Sequence, residues 1–274
     1  MSIWILLLLA IVQGLTEFLP VSSSGHLVLF YDWFGIEDGT ILLSVLLHIA
    51  TLFSVLIYYR KEVIQLVLHP LCNTNRKMLV TTIITCGEVL LIKPLIDRMF
   101  GGEYLFVFFL ITAILLFVSD YMAEKRGLLS RTSGSFRDGI VASEAIDITD
   151  IGVSYRQAII IGLTQGVACI PGISRSGSTI AVGRIVGAKD VTKYSFLISI
   201  PIIIASLIME LVSGGGLVGG GNIVALILAM IICFFVGLSC IRLMTKIVNN
   251  NRLTIFAYYL IGLSIILIVL GFVR

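Results

Sequence analysis

Two polar interruptions in otherwise apolar runs hold most of the side chains of this chain that could do chemistry. The first supplies an amide, a carboxylate, three hydroxyls and an imidazole, from Gln13, Glu17, Ser22, Ser23, Ser24 and His26. The second supplies a guanidinium and four hydroxyls, from Ser174, Arg175, Ser176, Ser178 and Thr179. An ionised group at membrane depth costs about 2.5–3.5 kcal/mol on insertion scales, so intramembrane polar clusters usually mark a functional site. We therefore expect function to be located in these two segments.

In the first interruption, Gln13 and Glu17 are four residues apart and share one face of a helix. Their oxygens could bind a hard divalent cation or hold a neighbouring base, and a packed polar face is the alternative. The serines at 22–24 could cap the next helix or bind an anion at its N-terminus. The nearby His26 favours a role beyond capping for these serines, because a serine near an imidazole and a carboxylate is the arrangement that activates a nucleophile.

In the second interruption, Arg175 indicates an anionic ligand. A guanidinium binds phosphate through a planar fork of two donors, and the surrounding hydroxyls add further donors. The alternative is a structural ion pair with Glu17, although such a pair would not need four hydroxyls around it. The chain also carries His48 within an apolar run, where a hydrogen-bonded core histidine is the first interpretation and a site role the second.

The composition places these segments in a membrane. The 274 residues are 58% hydrophobic and 13% charged, with a mean hydropathy of +1.09, whereas soluble domains are about 45–50% apolar and about 25% charged. The five cysteines are an odd number at unrelated spacings, which indicates neither a disulfide framework nor a zinc site.

The pattern of apolar runs predicts an all-α polytopic membrane protein, a single membrane domain over 1–274. Six runs approach the roughly 20 residues of a spanning helix: 41–59, 78–96, 104–122, 194–212, 222–241 and 253–273. The segments 3–30 and 157–183 are each interrupted by Pro, Gly and Ser. Because such backbone is tolerated at that depth only when protein covers it or it lines a cavity, we predict two re-entrant helical hairpins.

The positive residues predict the orientation. In a six-span arrangement, 15 of the 19 Lys and Arg residues fall in loops on one side, and five of them lie in the long polar segment 123–156. The positive-inside rule assigns that side to the cytoplasm.

The two halves of the chain resemble each other at an offset of 152. Gly35, Asp38, Thr40 and Ser54 align with Gly187, Asp190, Thr192 and Ser206. Repeat one covers 1–122 and repeat two covers 157–274, each with one hairpin and three spans. An odd number of spans inverts the second repeat, as in many transporters, so the hairpin tips should meet near the midplane.

The motifs QGLTEFLPVSSSGH at 13–26 and PGISRSGST at 171–179 resemble the two signatures of the bacterial undecaprenyl-diphosphatase, or bacitracin-resistance, family. The resemblance implies hydrolysis of undecaprenyl diphosphate to the monophosphate, which recycles the lipid carrier for cell-wall synthesis. It also implies a site that opens to the outer face of the bacterial inner membrane, and a divalent cation such as Mg²⁺ or Ca²⁺.

The resemblance also assigns roles by position. Glu17, Ser23, His26 and Arg175 correspond to catalytic residues, with Ser22 as the alternative nucleophile. The diphosphate would contact hydroxyls of Ser22, Ser24, Ser174, Ser176 and Thr179. Glu17 and Gln13 would bind the metal, although the family often has Glu where this chain has Gln13. The expected partners are the lipid substrate and the bilayer, without nucleic acid, and the oligomeric state stays open between a monomer and a homodimer.

A membrane carrier of polyprenyl phosphate or of a phosphorylated solute is the main alternative function. Inverted repeats favour transport only by analogy of fold. A carrier would need Arg175 and the hydroxyls but not a cluster of serine, histidine and carboxylate. Glu17 and His26 therefore distinguish the two functions.

Overall fold

The computed structural model describes residues 2–36, 40–125, 150–212, 223–249 and 252–271. In these ranges the chain forms eleven α-helices and no strand. Their bounds are α1 Ile3–Thr16, α2 Ser23–Trp33, α3 Thr40–Tyr58, α4 Arg60–Leu68, α5 Asn73–Met99, α6 Leu105–Lys125, α7 Tyr155–Val167, α8 Arg175–Ile185, α9 Val191–Val212, α10 Ile223–Asn249 and α11 Thr254–Val269.

Four of these helices, α5, α6, α9 and α10, are long and apolar enough to cross a membrane. They correspond to the predicted spans 78–96, 104–122, 194–212 and 222–241. A fifth span is formed if α3 and α4 are counted together, although the pair bends by 83°. At 16 residues, α11 is shorter than the span 253–273 predicted for it. The described part of the chain is therefore that of an all-helical membrane protein with several spans.

Two boundaries differ from the sequence prediction. The span predicted at 41–59 ends at Tyr58, and the polar residues that follow form α4, whose axis is bent by 83° from that of α3. The loop predicted at 123–156 begins later and ends earlier, because α6 continues to Lys125 and α7 begins at Tyr155. The remainder of that loop, 126–149, lies outside the described residues.

Each polar interruption is a break between two short helices. The α1 helix ends at Thr16 and α2 begins at Ser23, while α7 ends at Val167 and α8 begins at Arg175. Serine caps both second helices. The hydroxyl of Ser22 accepts the backbone N–H of Gly25 at 3.3 Å, and that of Ser174 accepts the N–H of Gly177 at 3.1 Å.

Small residues let the first helix of each pair approach a long helix from the other half of the chain. The α1 helix packs on α10, and α7 packs on α5. A Cβ atom added to Gly14 would lie 2.8 Å from the carbonyl oxygen of Cys233, and one added to Gly162 would lie 3.0 Å from that of Thr81. Close backbone approach through small residues is typical of helix packing in membranes.

Ion pairs gather at one end of the bundle. Lys77 contacts Asp150 at 2.7 Å, Arg184 contacts Asp120 at 2.8 Å, and Lys193 contacts Glu62 at 3.6 Å. These pairs join the ends of α4, α5, α6, α8 and α9, together with the segment that precedes α7. The loops that the sequence assigned to one side therefore meet at one end of the molecule.

Candidate active site

The two breaks contact each other. The hydroxyl of Ser22 accepts the N–H of Gly172 at 3.1 Å, and Ser176 donates to the carbonyl oxygen of Leu19 at 3.2 Å. A Cβ atom added to Gly25 would lie only 2.8 Å from the nitrogen of Gly172, so the backbones meet where neither residue has a side chain. The prediction that the two tips meet is confirmed.

The carboxylate of Glu17 lies at this junction, and the residue is only 5% exposed. Its Oε2 atom accepts hydrogen bonds from Ser23 Oγ at 2.6 Å and from Gln13 Nε2 at 3.0 Å. His48 Nε2 lies 3.4 Å from the same oxygen. The Oε1 atom pairs with the guanidinium of Arg175 from the second break. A single carboxylate thus joins a serine hydroxyl, an amide, an imidazole and a guanidinium.

The geometry distinguishes between the neighbouring serines. The Ser22 hydroxyl is engaged by the backbone, because its oxygen accepts two N–H groups, one from Gly25 in the helix cap and one from Gly172 in the second break. Its backbone has φ +69°, which is strained for a residue other than glycine. Ser23 is half-buried and has its hydroxyl on the Glu17 carboxylate. Of the two serines, Ser23 is the one whose hydroxyl donates to a carboxylate.

Arg175 has a second donor that the Glu17 pair does not use. Its Nη1 atom is buried and has no hydrogen-bond partner within the described residues. The same holds for Gln13 Oε1 and Ser178 Oγ. Buried polar groups in proteins are nearly always bonded, so an unused guanidinium nitrogen at the junction indicates an anionic ligand.

The two histidines have different surroundings from those expected. His26 bonds through Nδ1 to the carbonyl oxygen of Ser22 and through Nε2 to the hydroxyl of Tyr259, both at 2.7 Å. Both ring nitrogens of His26 are therefore engaged away from Ser23 and Glu17. His48, which the sequence favoured as a core residue, bonds through Nδ1 to the carbonyl oxygen of Ser44 at 2.7 Å and turns Nε2 towards Glu17.

The remaining hydroxyls predicted to bind substrate make contacts within the protein. Ser24 lies 3.4 Å from Ser22 Oγ, and Ser174 caps α8. Ser176 bonds to the first break as described above. Thr179 donates to the carbonyl oxygen of Arg175 at 2.8 Å and lies 2.6 Å from Ser195 Oγ on α9. In the described structure these hydroxyls hold the two breaks in place.

The donor set near Glu17 suits a cation that arrives with a phosphate ligand. Among the described residues no group of three His, Cys, Asp or Glu side chains could hold a metal. Gln13 Oε1 is nevertheless an unused buried oxygen next to the Glu17 carboxylate. Mg²⁺ is commonly bound by one or two protein oxygens together with substrate phosphates and water, and this smaller set fits that mode.

Comparison with known proteins finds similarity over most of the chain. A family model described as "Bacitracin resistance protein BacA" matches residues 6–266. The chain belongs to the BacA family.

Curated relatives of this BacA-family chain are similar along nearly their whole length. A protein of Treponema denticola is 35% identical over 281 residues, which cover 97% of this chain and 96% of the relative. One from Carboxydothermus hydrogenoformans is 32% identical over 270 residues, or 96% and 95% of the two chains. One from Christiangramia forsetii is 34% identical over 284 residues, or 97% and 98%. All three relatives are named undecaprenyl-diphosphatase.

Three residues of this BacA-family site were not among the predicted site residues. His48 contacts Glu17, Tyr259 holds His26, and Thr112 of α6 binds the second break at both Gly172 and Ser174. Each lies in an apolar helix far from the motifs in sequence. The only signal for them was a polar side chain within an apolar run, which His48 showed most clearly.

Proposed function

We propose that this protein hydrolyses undecaprenyl diphosphate to undecaprenyl phosphate and inorganic phosphate. The observation that carries the proposal is the contact of Ser23 Oγ with Glu17 Oε2 at 2.6 Å, with Arg175 on the other carboxylate oxygen. These contacts support the roles of Ser23 as nucleophile, Glu17 as base and Arg175 as the anion-binding cation. The names of the relatives support the substrate.

Ser23 is the proposed nucleophile and Glu17 its general base. As Ser23 Oγ attacks the terminal phosphorus, its proton passes to Glu17 Oε2. The Oγ–P bond forms while the bridging P–O bond breaks, and undecaprenyl phosphate leaves. Water then attacks the phosphorus of the phosphoserine, and the Oγ–P bond breaks. Glu17 returns its proton to Ser23 Oγ, and the phosphate leaves with the oxygen and the protons of the water. Arg175 Nη1, the unused donor, would bind the phosphoryl oxygens as charge develops on them.

His48 is the proposed positioning residue for Glu17. Its Nδ1–H donates to the Ser44 carbonyl oxygen, so its Nε2 binds the carboxylate well only when it also carries a proton. A protonated His48 would hold Glu17 Oε2 towards Ser23. Its positive charge would also offset the negative charge of the Glu17 carboxylate before the proton is transferred. His26 supports the same site from the other side by fixing the Ser22 carbonyl group.

A divalent cation, Mg²⁺ or Ca²⁺, is part of the proposal. Gln13 Oε1 and the Glu17 carboxylate would hold it together with the diphosphate. When bound, the cation neutralises charge on the diphosphate oxygens. We expect chelation to reduce the apparent affinity for the diphosphate as well as the rate.

The proposed architecture is six spans and two re-entrant hairpins in two inverted repeats. Three structural features support it. The serine caps at Ser22 and Ser174 lie 152 residues apart, as do the positive-φ residues Gly35 and Gly187. The helix before each break, α1 or α7, also packs on a long helix of the other half of the chain. The charge pattern supports placement in the bacterial inner membrane with the ion-paired end in the cytoplasm. The site would then open to the outer face.

The test is phosphate release from undecaprenyl diphosphate by the purified protein in detergent, with and without chelator. Ser23→Ala and Arg175→Lys should each reduce release by about 10²-fold or more, because one removes the nucleophile and the other the planar fork. Ser239→Ala removes an exposed hydroxyl that bonds only within α10 and should behave as the unmodified protein. Trapping a phosphorylated Ser23 peptide would distinguish serine attack from direct attack by water.

The carrier alternative makes a different prediction in the same assay. A carrier of polyprenyl phosphate would retain lipid binding through Arg175 but would release no phosphate, and Ser23→Ala would leave lipid binding unchanged. A folded, lipid-binding protein that releases no phosphate under all cation conditions would refute the hydrolase.

A further inference from the structure

A second polar cavity, which we name the basic cavity, lies where the end of α3, the start of α9 and the middle of α10 meet. Its volume is about 600 Å³. Four cationic side chains line it, from Arg60, Lys61, Lys193 and Arg242. It belongs to the end of the bundle that carries the ion pairs, and none of its lining residues takes part in the proposed hydrolysis.

The charges in the basic cavity are unbalanced. Its four cations face two carboxylates, Glu62 and Asp190, which leaves a net charge of +2. Lys193 pairs with Glu62 at 3.6 Å. Within the described residues, Arg60, Lys61 and Arg242 have no carboxylate within ion-pair distance. Once Lys193 and Glu62 are paired, these three cations share a cavity with Asp190 as the one remaining carboxylate of its lining, and this excess of positive charge favours an anionic occupant.

Neutral donors in the same cavity point to a ligand. Tyr59 is only 4% exposed, yet its hydroxyl has no hydrogen-bond partner in the part of the chain that the structure describes. The hydroxyl oxygen is enclosed by protein atoms, and because a buried unpaired hydroxyl is costly, it would gain a partner by turning towards an occupant of the cavity. The cavity also includes Thr192 in the first turn of α9, a helix of 22 residues whose N-terminus carries a partial positive charge.

An aromatic chain separates the basic cavity from the catalytic site. Phe18, next to Glu17, packs edge-on against Phe196 with ring centroids 5.6 Å apart, and Phe196 packs against Tyr59 at 6.2 Å. Along α3, His48 and Tyr58 are ten residues apart, which is about 15 Å of helix. The basic cavity is therefore a separate site on the far side of this barrier.

We propose that the basic cavity binds a phosphate monoester. Such a group carries about −1.5 to −2 charge at neutral pH and accepts several hydrogen bonds, which matches a net charge of +2 and the unpaired Tyr59 hydroxyl. The phosphate could belong to a lipid headgroup or be free in solution. Ile57, which also lines the cavity and is 46% exposed, offers a path for an apolar chain towards the bilayer.

The test measures binding of two probes to the purified full chain in detergent. The probes are radiolabelled inorganic phosphate, followed by equilibrium dialysis, and undecaprenyl monophosphate, followed by retention on the immobilised protein. All variants carry Arg175→Ala, which removes the catalytic anion contact. Tyr59→Phe removes one hydroxyl with little change of shape. Arg242→Gln removes one cation, and Lys246→Gln, an exposed cation one turn further along α10 and outside the cavity, is the matched control.

We expect at least one probe to bind in the Arg175→Ala background. Arg242→Gln should weaken binding about tenfold, the usual effect of losing a charged hydrogen-bond donor, and Tyr59→Phe should weaken it several-fold. Lys246→Gln should change nothing. Binding of the lipid alone would identify a headgroup site, and binding of both probes a site for the free anion as well.

Two results would overturn the proposal. One is no binding of either probe to a folded Arg175→Ala protein, with folding checked by thermal unfolding. The other is equal affinity in the Arg242→Gln and Lys246→Gln variants. Both leave the hydrolase proposal standing, because phosphate release is measured separately in protein that retains Arg175.

Discussion

The two polar breaks share a backbone plan but differ in chemistry. Each begins its second helix with a capping serine, Ser22 or Ser174, three residues before a glycine that makes a close contact. At the next position, however, the first break has Ser23 and the second has Arg175. Where the first has Glu17, the second has Cys169 at the same offset of 152. The cap is retained in both breaks, while the reactive groups are divided between them.

This division means that neither break forms a site alone. The first provides the serine and the carboxylate, and the second provides the guanidinium that completes the carboxylate's hydrogen bonds. Comparing equivalent positions therefore separates chemical roles from structural ones. Variants of Glu17 should therefore lower the rate, whereas variants of its counterpart Cys169 should not.

The largest expected effect is at Glu17. Glu17→Gln removes the proposed base while keeping the shape, and the rate of phosphate release should fall by about 10³-fold, within the usual range for a general base. The matched change in the second break, Cys169→Ser, replaces a thiol whose hydrogen bond is a weak one to the Gln165 carbonyl oxygen. It should leave the rate within a few-fold. Equal losses in both variants would contradict the division of roles.

The two histidines should differ in the pH dependence of the rate. His48→Gln should lower the rate by about 10²-fold and remove one ionisation from the pH–rate profile, because only the protonated form of His48 is proposed to hold Glu17 Oε2. His26→Ala should also lower the rate, through a misplaced Ser23, but keep the shape of the profile. Rates measured between pH 5 and 9 test this, and the reverse pattern would restore His26 as the base.

The caps should give a smaller effect, on stability. Ser174→Ala removes a helix cap and should lower the free energy of unfolding by about 1 kcal/mol. Ser22→Ala should cost more, since the Ser22 hydroxyl also accepts the Gly172 N–H. Unfolding in a denaturing detergent measures both, with the exposed Ser239→Ala as reference. A smaller loss for Ser22→Ala would show that the contact between the breaks adds nothing.

The smallest effect concerns an ion pair just before α7, which has no counterpart before α1 among the described residues. There, hydrogen bonds from Lys77 and from the Gly152 N–H hold the pKa of the Asp150 carboxyl below its usual range. The stabilisation of the folded protein by the ionised Asp150 is therefore complete above the ordinary Asp pKa of about 4, and it is lost as the pH falls further. Since Asp150 is half exposed, Asp150→Asn should cost less than about 1 kcal/mol at pH 7. That cost should vanish near pH 2, and a constant difference would exclude the ion pair as its cause.

Much of the fold could be predicted from the sequence because a membrane imposes long apolar runs. The runs at 78–96, 104–122, 194–212 and 222–241 lie within long helices, and the interruptions between short runs are helix breaks. The bend after Tyr58 was missed. The residues after it are polar enough to suggest a loop, yet they form the short helix α4 at 83° to α3.

From the sequence, the site could be predicted only for residues that lie within the two motifs. Glu17, Ser23 and Arg175 lie in the two signatures and are found in direct contact. The choice of histidine was not predictable, because His26 is near the serines in sequence while His48 reaches Glu17 through the packing of α3. The partner of a side chain depends on which helices meet. Spacing within one segment does not contain that information.

The contact between Glu17 and Arg175 joins residues 158 positions apart, and this constrains how the protein is made. During synthesis the Glu17 carboxylate is present before Arg175, one of its two basic neighbours, has been translated. Until then its partners can come only from the first half of the chain, which supplies Gln13, Ser23 and His48. We therefore expect a chain that ends before Arg175 to be less stable in the membrane than the full chain.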